Sequence, residues 1–545
     1  MGTYLNPGNV GFARISKSDY IDKTGLIKLV NSTIDTTKNL SCISRPRRFG
    51  KTYAAQMLCA YYDRTCDSHE LFDGYAIAKD ESYEKYLNKY HVINLDITGF
   101  ISEIKKKNLS LKDVPLSIDT AIMNEVKTVY SELKDIHNLN ECLLEMVRIT
   151  HTKIVFVIDE WDSMIREAKE DIKAQESYLN LLRGWFKNNN FTPEAVAAAY
   201  MTGILPIKKD GSQSAISDFE EYSMIEPHSF EEYVGFTEVE VKKLCEAAGR
   251  SFGSMKKWYD GYHVGGQDSI YNPYSVMQSL STGKYKSFWK KTSAAETLMT
   301  YIDMDQDGLQ ADIARLIAGE SIVIDTDSFQ NDVETFTCKD DVLTLLIHLG
   351  YLTYKEVSDS YAGAEDEELS GVVSIPNEEV RSEFEKILRK AKHRELIALV
   401  RKSDQLLKDT LTGNSEAVAK AIGEIHDSEY APMFYNNEQS LRYVVKMAYL
   451  SCVDQYAKVE ELPSGHGVAD VVFVPKRSSR LPAMVVELKW NKSAEGALEQ
   501  IRENRYHNFL EDYGGDVILA GINYDPKTKK HTCRIEVQRG ISFSK

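Results

Sequence analysis

The chain has 545 residues, 43% of them hydrophobic and 27% charged, and a formal net charge of −16. This length predicts about three domains, and the composition is that of an ordinary globular protein. The acidic balance argues against a general nucleic-acid coat. Because no apolar run has membrane-spanning length and the amino terminus has no signal-peptide core, we expect a cytoplasmic protein with no membrane partner.

Charge is unevenly distributed along the chain. Residues 1–60 hold 9 basic and 3 acidic residues, whereas residues 426–545 hold 16 of each sign. The eight cysteines are scattered without a C-x-x-C pair, which disfavours a zinc or disulfide framework and favours reduced thiols. The basic excess therefore surrounds the first motif of the chain.

That motif follows a short apolar run, residues 40–43, which predicts a buried strand. Residues 44–52 have the sequence Ser-Arg-Pro-Arg-Arg-Phe-Gly-Lys-Thr, and residues 53–62 have helical spacing. A strand, a tight loop and a helix that begins at Gly-Lys-Thr form the setting in which backbone N–H groups and a lysine bind a polyphosphate. We expect this loop to bind ATP through Arg47, Arg48, Phe49, Gly50, Lys51 and Thr52.

Within this loop, Lys51 is expected to reach the outer phosphates and the Thr52 hydroxyl to ligate Mg²⁺. The pattern G-x-x-x-x-G-K-[ST] places its first glycine at position 45, where this chain has Arg45. A chance Gly-Lys-Thr in a basic loop is the alternative. Arg47 and Arg48 are candidates for an arginine finger, and contact with phosphate in the same chain is an equal alternative.

The second motif is a run of five apolar residues, 154–158, that predicts a buried central strand and ends in Asp159 and Glu160. Carboxylates at the carboxyl end of such a strand lie where open α/β sheets bind ligands. We expect Asp159 to hold the magnesium and Glu160 to orient or deprotonate the attacking water. A third predicted strand, 195–203, carries Thr202 as a candidate γ-phosphate sensor. The alternative is a strand that merely ends in an acidic turn.

From about residue 226 the pattern predicts helices at 230–236, 238–248 and 255–263. The aromatic residues of this region favour the core of a lid over a base-stacking platform. Further on, residues 340–390 predict a winged-helix-like unit, with a helix at 341–349, strands at 351–354 and 371–375, and an acidic hairpin tip at 359–368. That acidic tip favours packing or protein contact over DNA binding.

The last motif lies in a segment predicted to contain a helix at 437–450, a strand pair at 465–474 and 483–490, a helix after 494 and a strand at 517–522. Glu487 and Lys489 share one strand face because side chains alternate with period two, and Asp470 on the neighbouring strand can meet them. Asp470 and Glu487 would hold Mg²⁺, with Mn²⁺ as an alternative, Lys489 would stabilise developing charge and Gln500 would steady the cluster. The alternative is a surface charge pair.

Taken together, these motifs resemble a bacterial family in which an AAA-like ATPase is fused to a carboxy-terminal nuclease of the PD-(D/E)XK superfamily. The resemblance is carried by residues 20–24, 45–52, 158–162, 202–203, 259–262, 271–273, 375–380, 467–470, 487–490 and 500–501. In that family Arg45 is usual, Ala469 replaces a common proline, and Trp161 replaces a common tyrosine.

The resemblance implies an α/β protein with three domains. These would be an N-terminal P-loop, AAA-like ATPase domain with a parallel sheet at 1–225, a helical lid and winged-helix-like region at 226–425, and a C-terminal α/β PD-(D/E)XK nuclease-like domain at 426–545. The implied function is a Mg²⁺-dependent nuclease gated by ATP, acting on nucleic acid, first of all DNA, in defence or mobile-element biology. Alternatives are a nucleotide-dependent switch or scaffold with a non-catalytic nuclease fold, and a DNA translocase without cleavage. A homo-oligomer is left open.

Overall fold

The computed structural model describes residues 2–169, 171–207, 216, 218–289, 309–317, 319, 321–326, 329, 336, 338–356, 370–390, 394–429, 445, 448–449, 456–464, 467–475, 481–503 and 515–538. The chain divides into two compact units, Met1–Ala294 with Val323–Val380, and Ala295–Ile322 with Arg381–Lys545. The domain boundaries expected at 225/226 and 425/426 stay a prediction. In the part of the chain that is described, no helix is long and apolar enough to cross a bilayer.

The first unit is built around a parallel sheet of five strands in the order β2-β3-β4-β1-β5. Its strands are β1 (Leu40–Ser44), β2 (His91–Asp96), β3 (Ile154–Asp159), β4 (Val196–Gly203) and β5 (Glu220–Tyr222). Every residue of β1, β3 and β4 is buried, as expected for central strands covered on both faces. The predicted strands at 40–43, 154–158 and 195–203 are confirmed.

Helices surround this sheet and bury their apolar faces against it. The first eleven are α1 (Val10–Ser16), α2 (Gly25–Thr33), α3 (Lys51–Tyr62), α4 (His69–Phe72), α5 (Tyr83–Tyr86), α6 (Ile97–Lys106), α7 (Val114–Val129), α8 (Leu139–Thr150), α9 (Ser163–Glu167), α10 (Ile172–Phe186) and α11 (Thr192–Ala195). Short 3₁₀ helices lie at Ala76–Lys79, Leu111–Asp113, Ser131–Leu133 and His228–Phe230. Isoleucines of α6 and α7, such as Ile104 and Ile118, join the same buried cluster as Ile154 of the sheet.

The remaining helices follow the sheet in sequence. They are α12 (Glu238–Ala247), α13 (Phe252–Tyr259), α14 (Pro273–Thr282), α15 (Leu309–Ile317), α16 (Lys339–Leu349), α17 (Glu378–Lys390), α18 (Arg394–Leu411), α19 (Ser415–Glu429) and α20 (Ala494–Glu503). Asn272 caps α14 by accepting a hydrogen bond from Ser275 N, with Pro273 at the first helical position. This is the start that the Asn-Pro pair favours.

Two small sheets complete the first unit. One has the order β6-β8-β7 and consists of β6 (Phe236–Thr237), β7 (Tyr262–Val264) and β8 (Gln267–Tyr271). The other has the order β10-β11-β9 and consists of β9 (Ile322–Asp325), β10 (Thr353–Glu356) and β11 (Ser370–Ser374). The helix predicted at 230–236 is wrong, because turns and β6 occupy that stretch, and the predicted helix 255–263 ends at Tyr259 because Gly261 adopts a φ of 100°. The predicted helix at 341–349 is confirmed, and Gly350 ends it at a φ of 83°.

The second unit contains a five-stranded sheet in the order β12-β13-β14-β15-β16. Its strands are β12 (Tyr456–Ser464), β13 (Gly467–Pro475), β14 (Ala483–Trp490), β15 (Val517–Asp525) and β16 (Lys530–Gln538). Apolar residues of α18 and α19 join one buried cluster with Leu488, and those of α20 join another with Val485. The strand pair β13 and β14 is confirmed, β12 and β16 are additional, and the predicted helix 437–450 and acidic tip 359–368 lie largely outside the described residues.

Candidate functional site

The loop between β1 and α3 borders a cavity of about 980 Å³ in the first unit. Gly50 has a φ of 96° and Arg48 a φ of 75°, so the chain turns sharply into the helix that begins at Lys51. A helix amino terminus offers unpaired N–H groups and positive potential, both of which favour phosphate. Arg47, Arg48, Phe49, Gly50, Lys51 and Thr52 all line the cavity.

Lys51 is buried, with 4% of its surface exposed. Its Nζ donates hydrogen bonds to the carbonyls of Arg45 at 2.9 Å and Pro46 at 3.1 Å, and lies 3.8 Å from Glu160 Oε1. Burial lowers the pKa of Lys51, and Glu160 and Asp159 oppose that shift. The ammonium group thus lies between the loop carbonyls and the acidic end of β3, and its contact with phosphate stays a prediction.

Asp159 is the point at which three predicted residues meet. Thr52 Oγ1 donates to Asp159 Oδ2 at 2.6 Å, and Thr202 Oγ1 donates to Asp159 Oδ1 at 2.5 Å. Glu160 N also donates to Asp159 Oδ1, at 3.1 Å. A hydroxyl and a carboxylate at the mouth of a phosphate-binding loop are the oxygen ligands that Mg²⁺ prefers, so the residues present fit that ion.

Glu160 is held by a residue that sequence reasoning missed. Arg166 Nη2 donates to Glu160 Oε2 at 2.5 Å, and Arg166 Nε donates to Asp162 Oδ2 at 2.9 Å. Asp162 is fully buried and also accepts the backbone N–H groups of Ile204 and Leu205. Burial would lower the pKa of Arg166, but Asp162 and Glu160 together raise it. The i,i+4 spacing of Asp162 and Arg166 is the signal that could have identified the pair.

Arg45, the departure from the usual loop pattern, supports the loop from behind. Its guanidinium is fully buried, and Nη1 donates to the carbonyls of Ser44 at 3.0 Å, Tyr222 at 2.8 Å and Ser223 at 2.6 Å. Burial lowers the pKa of Arg45 to about 10. The side chain therefore fastens the loop to the end of β5 instead of facing the cavity.

The next loop residues point in different directions. Arg47 is exposed, whereas Phe49 is buried with its ring 5.2 Å from that of Tyr262. Arg48 donates from Nη1 to the carbonyl of Phe288 at 2.7 Å and lies 4.5 Å over the ring of Tyr274. Arg47 is thus the loop arginine that is most exposed, while Arg48 is already engaged with the segment 273–289.

Beyond the loop, the cavity has a more apolar wall. Residues Tyr20, Ile21, Met57, Phe236, Pro273 and Met277 line this part. Lys23 also lines the cavity, and its Nζ donates to Glu240 Oε2 at 2.7 Å and to the carbonyl of Glu232 at 2.7 Å. Asp96, another lining residue, pairs in register with Asp159, and partial desolvation raises the pKa of Asp96. Sequence reasoning did not single out Asp96.

In the second unit, three of the four predicted residues converge. Glu487 and Lys489 are buried on β14, with 1% and 7% of their surfaces exposed. Lys489 Nζ donates to Glu487 Oε1 at 3.1 Å, and Gln500 Nε2 of α20 donates to the same oxygen at 2.5 Å. Burial of the ion pair excludes the alternative of a surface charge pair.

Helix α20 reaches this cluster because β15 has a glycine beneath it. A Cβ atom at Gly521 would lie 2.4 Å from the carbonyl oxygen of Ala494 and 3.0 Å from Ala497 Cβ. Gly521 pairs in register with Glu487, so the close approach of helix and strand occurs beside the carboxylate. The buried Asn523, in register with Lys489, accepts a hydrogen bond from Lys492 N. Neither Gly521 nor Asn523 was predicted.

Asp470 lies on the adjacent strand β13. Val471 pairs with Val486 in antiparallel register, and the next residues on the two strands are Asp470 and Glu487. The Asp470 side chain is outside the described residues. Among the side chains that are described, no group of three His, Cys, Asp or Glu residues forms a metal site. The carboxylate ligand set expected from Asp470 and Glu487 therefore remains a proposal.

Comparison with known families identifies both regions. Residues 8–212 match the family model described as "Predicted AAA-ATPase", and residues 436–533 match the PD-(D/E)XK nuclease superfamily. A search of curated proteins found no match.

Among solved structures, the chain is similar to a Walker-type ATPase of Pyrococcus abyssi at 10% identity and a TM-score of 0.31, covering 67% of this chain and 94% of that one. It is similar to the ORC2 protein of Aeropyrum pernix in ADPNP–ADP complexes at 12% identity and a TM-score of 0.29, covering 69% and 98%. It is similar to Drosophila ORC bound to AT-rich DNA and Cdc6 at 11% identity and a TM-score of 0.17, covering 70% of this chain and 93% of that one. The two family matches, not these distant likenesses, describe the chain: residues 8–212 match an AAA-ATPase-like domain and residues 436–533 match a PD-(D/E)XK nuclease superfamily domain.

Proposed function

We propose that the protein is an ATP-dependent nuclease in which the nucleotide state of the first unit decides when the second unit cleaves nucleic acid, with DNA as the first substrate to test. The observation that supports this most is that each family match contains a buried carboxylate bonded to neighbouring polar side chains, Asp159 to Thr52 and Thr202, and Glu487 to Lys489 and Gln500. Buried polar groups are costly unless they are satisfied, so clusters of this kind are more consistent with working sites than with remnants.

In the ATPase site, the loop amides and Lys51 would bind the β- and γ-phosphates, with Arg47 as a further cation. Thr52 and Asp159 would hold Mg²⁺, which neutralises charge on the phosphates when bound. Thr202 would keep Asp159 in position. Glu160 would orient or deprotonate the attacking water, and Arg166 would fix the direction of its carboxylate.

In the nuclease site, Glu487 and Asp470 would hold Mg²⁺ or Mn²⁺, which polarises a phosphodiester when bound. Lys489 would stabilise charge on the phosphate and place the nucleophile. Gln500 would orient Glu487, because its amide donates to the same oxygen as Lys489 does. These roles support a hydrolytic phosphodiesterase.

The proposal extends to location and biology. We place the protein in the cytoplasm, with no membrane partner, and in defence or mobile-element biology. A homo-oligomer is compatible with the exposed Arg47, which could serve a neighbouring copy.

The experiment is a cleavage assay on supercoiled plasmid, linear duplex and single-stranded DNA, and on RNA, with Mg²⁺ or Mn²⁺ and with or without ATP. Glu487→Gln is expected to abolish cleavage, whereas Glu499→Gln, an exposed carboxylate on the same helix as Gln500, should leave it intact. Lys51→Ala is expected to abolish ATP binding, with the exposed Lys38→Ala as its control. Cleavage that survives Glu487→Gln contradicts the nuclease assignment.

A nucleotide-dependent switch with a non-catalytic nuclease fold is the second candidate. It is favoured by the equal numbers of basic and acidic residues in 426–545, because nucleases usually carry a basic track for the phosphate backbone. It predicts ATP binding without cleavage of any of the four substrates. A DNA translocase predicts DNA-stimulated ATP hydrolysis that is unchanged by Glu487→Gln.

A further inference from the structure

The motif at residues 375–380 places a buried carboxylate at the start of helix α17. Glu379 has 1% of its surface exposed. Its Oε1 accepts a hydrogen bond from Ser275 Oγ at 3.0 Å and another from Phe288 N at 2.8 Å. One carboxylate oxygen therefore joins helix α14 to the segment that follows it.

Arg48 of the phosphate loop holds the same two segments from the other side. Its Nη1 donates to the carbonyl of Phe288, and its guanidinium lies over the ring of Tyr274, the residue before Ser275. Pro273, Tyr274, Met277 and Gln278 of α14 line the nucleotide cavity. Phe288 thus links Arg48 to Glu379, because its carbonyl accepts from Arg48 and its N–H donates to Glu379. The neighbouring residues Tyr274 and Ser275 of α14 form a second link.

The first turn of α17 is fixed to this part of the first unit by further bonds. Asn377 Oδ1 accepts a hydrogen bond from Val380 N at 3.1 Å, and Asn377 Nδ2 donates to the carbonyl of Asp260 at 2.7 Å. A Cβ atom at Gly261 would lie 2.0 Å from the carbonyl oxygen of Pro376, so residues 259–262 pack closely against residues 375–380. The helix itself, Glu378–Lys390, begins in the first compact unit and continues past Val380 into residues of the second.

We propose that Glu379 couples the nucleotide state of the phosphate loop to helix α17, and through that helix to the unit that contains the nuclease domain. This inference rests on the proposed function and names the route of its regulation. Phosphate binds guanidinium more strongly than a backbone carbonyl does, because the hydrogen bond is between two charged groups. Triphosphate at the loop draws Arg48 away from the Phe288 carbonyl. This weakens the hydrogen bond from Phe288 N to Glu379 and changes the stability of the first turn of α17. Helix α14 and the segment that follows it act as one element with two arrangements, and bound nucleotide favours one of them.

The test compares the full-length wild type with Glu379→Gln. This variant keeps the shape of the side chain but replaces the carboxylate that accepts from Ser275 and Phe288 by a neutral amide. Glu378→Gln is the matched control, since it removes the same charge one residue earlier. Hydrogen–deuterium exchange is measured over residues 378–390 with and without Mg²⁺ and the non-hydrolysable analogue ADPNP, beside cleavage of linear duplex DNA with and without ATP. In the wild type and the control we expect nucleotide to change exchange there by about threefold or more, which corresponds to a coupling of about 0.7 kcal/mol or more.

In Glu379→Gln that response is expected to fall by at least half, while the affinity for ADPNP stays within about threefold of the wild type. An unchanged response in Glu379→Gln overturns the proposal, as does a wild type in which nucleotide leaves 378–390 unaltered. If the wild type cleaves nothing but Glu379→Gln still loses the exchange response, the coupling stands and the nuclease assignment fails. If Glu379→Gln does not fold, Ser275→Ala removes one of the two donors and must show the same loss, smaller in size.

Discussion

Thr202 offers a direct test of how the ATPase site is held. Thr202→Val keeps the branched shape and removes the hydroxyl that donates to Asp159 Oδ1 at 2.5 Å. Both side chains are buried, so water does not easily replace the lost donor. A hydrogen bond to a charged group contributes about 1.5–3 kcal/mol. Since about 1.4 kcal/mol corresponds to a factor of ten in rate, ATP turnover is expected to fall by roughly 10- to 150-fold.

The assay is steady-state hydrolysis of Mg·ATP, with thermal unfolding measured on each variant. Thr202→Ser retains the hydroxyl and should keep turnover within about threefold of the wild type. The reduction in Thr202→Val should appear in kcat more than in KM, because Thr202 bonds to Asp159 and not to the phosphate loop. Turnover of the valine variant within about twofold of the wild type, with normal folding, refutes the role given to this hydroxyl.

Three further predictions follow from the geometry. Arg166→Ala should lower ATP turnover by about 10- to 100-fold in steady-state kinetics, because Glu160 loses a charged hydrogen bond. Arg166→Lys should recover part of the lost turnover. Equal turnover in the wild type and both variants contradicts this role. Burial lowers the pKa of His91 to about 4, so the unfolded state binds more protons below pH ~6.5 and the free energy of unfolding falls by about 3 kcal/mol between pH 6.5 and 4. Urea unfolding should therefore show a flatter pH dependence of that free energy in His91→Gln. An identical pH dependence in the variant would assign the loss of stability to other groups. Gly521→Ala should cost about 1–3 kcal/mol and impair cleavage, because the new methyl group lies 2.4 Å from a carbonyl of α20. Gly423→Ala meets only ordinary contact at 3.5 Å and, because it lies inside α19, should not lower stability in the same thermal unfolding measurement.

Local sequence pattern determined the elements that carry the chemistry. Apolar runs of strand length predicted β1, β3 and β4, and the polar residues near the carboxyl ends of β3 and β4, Asp159 and Thr202, were predicted as a magnesium ligand and a γ-phosphate sensor. The period of two along a strand was enough to place Glu487 and Lys489 on one face, and they form an ion pair.

Tertiary structure decided what these residues do to one another. Arg166 of the short helix α9 bonds to Glu160 just after the end of β3, and Gln500 reaches Glu487 because Gly521 lets helix α20 approach the strand closely. Arg45 appeared as a departure from a motif, and the fold shows it buried among the carbonyls at the end of β5, 177 residues along the chain at Tyr222. Sequence periodicity reports on neighbours a few residues apart, whereas the contacts of Arg45 and the close approach at Gly521 join residues that loops and packing bring together, for which one sequence holds no local signal.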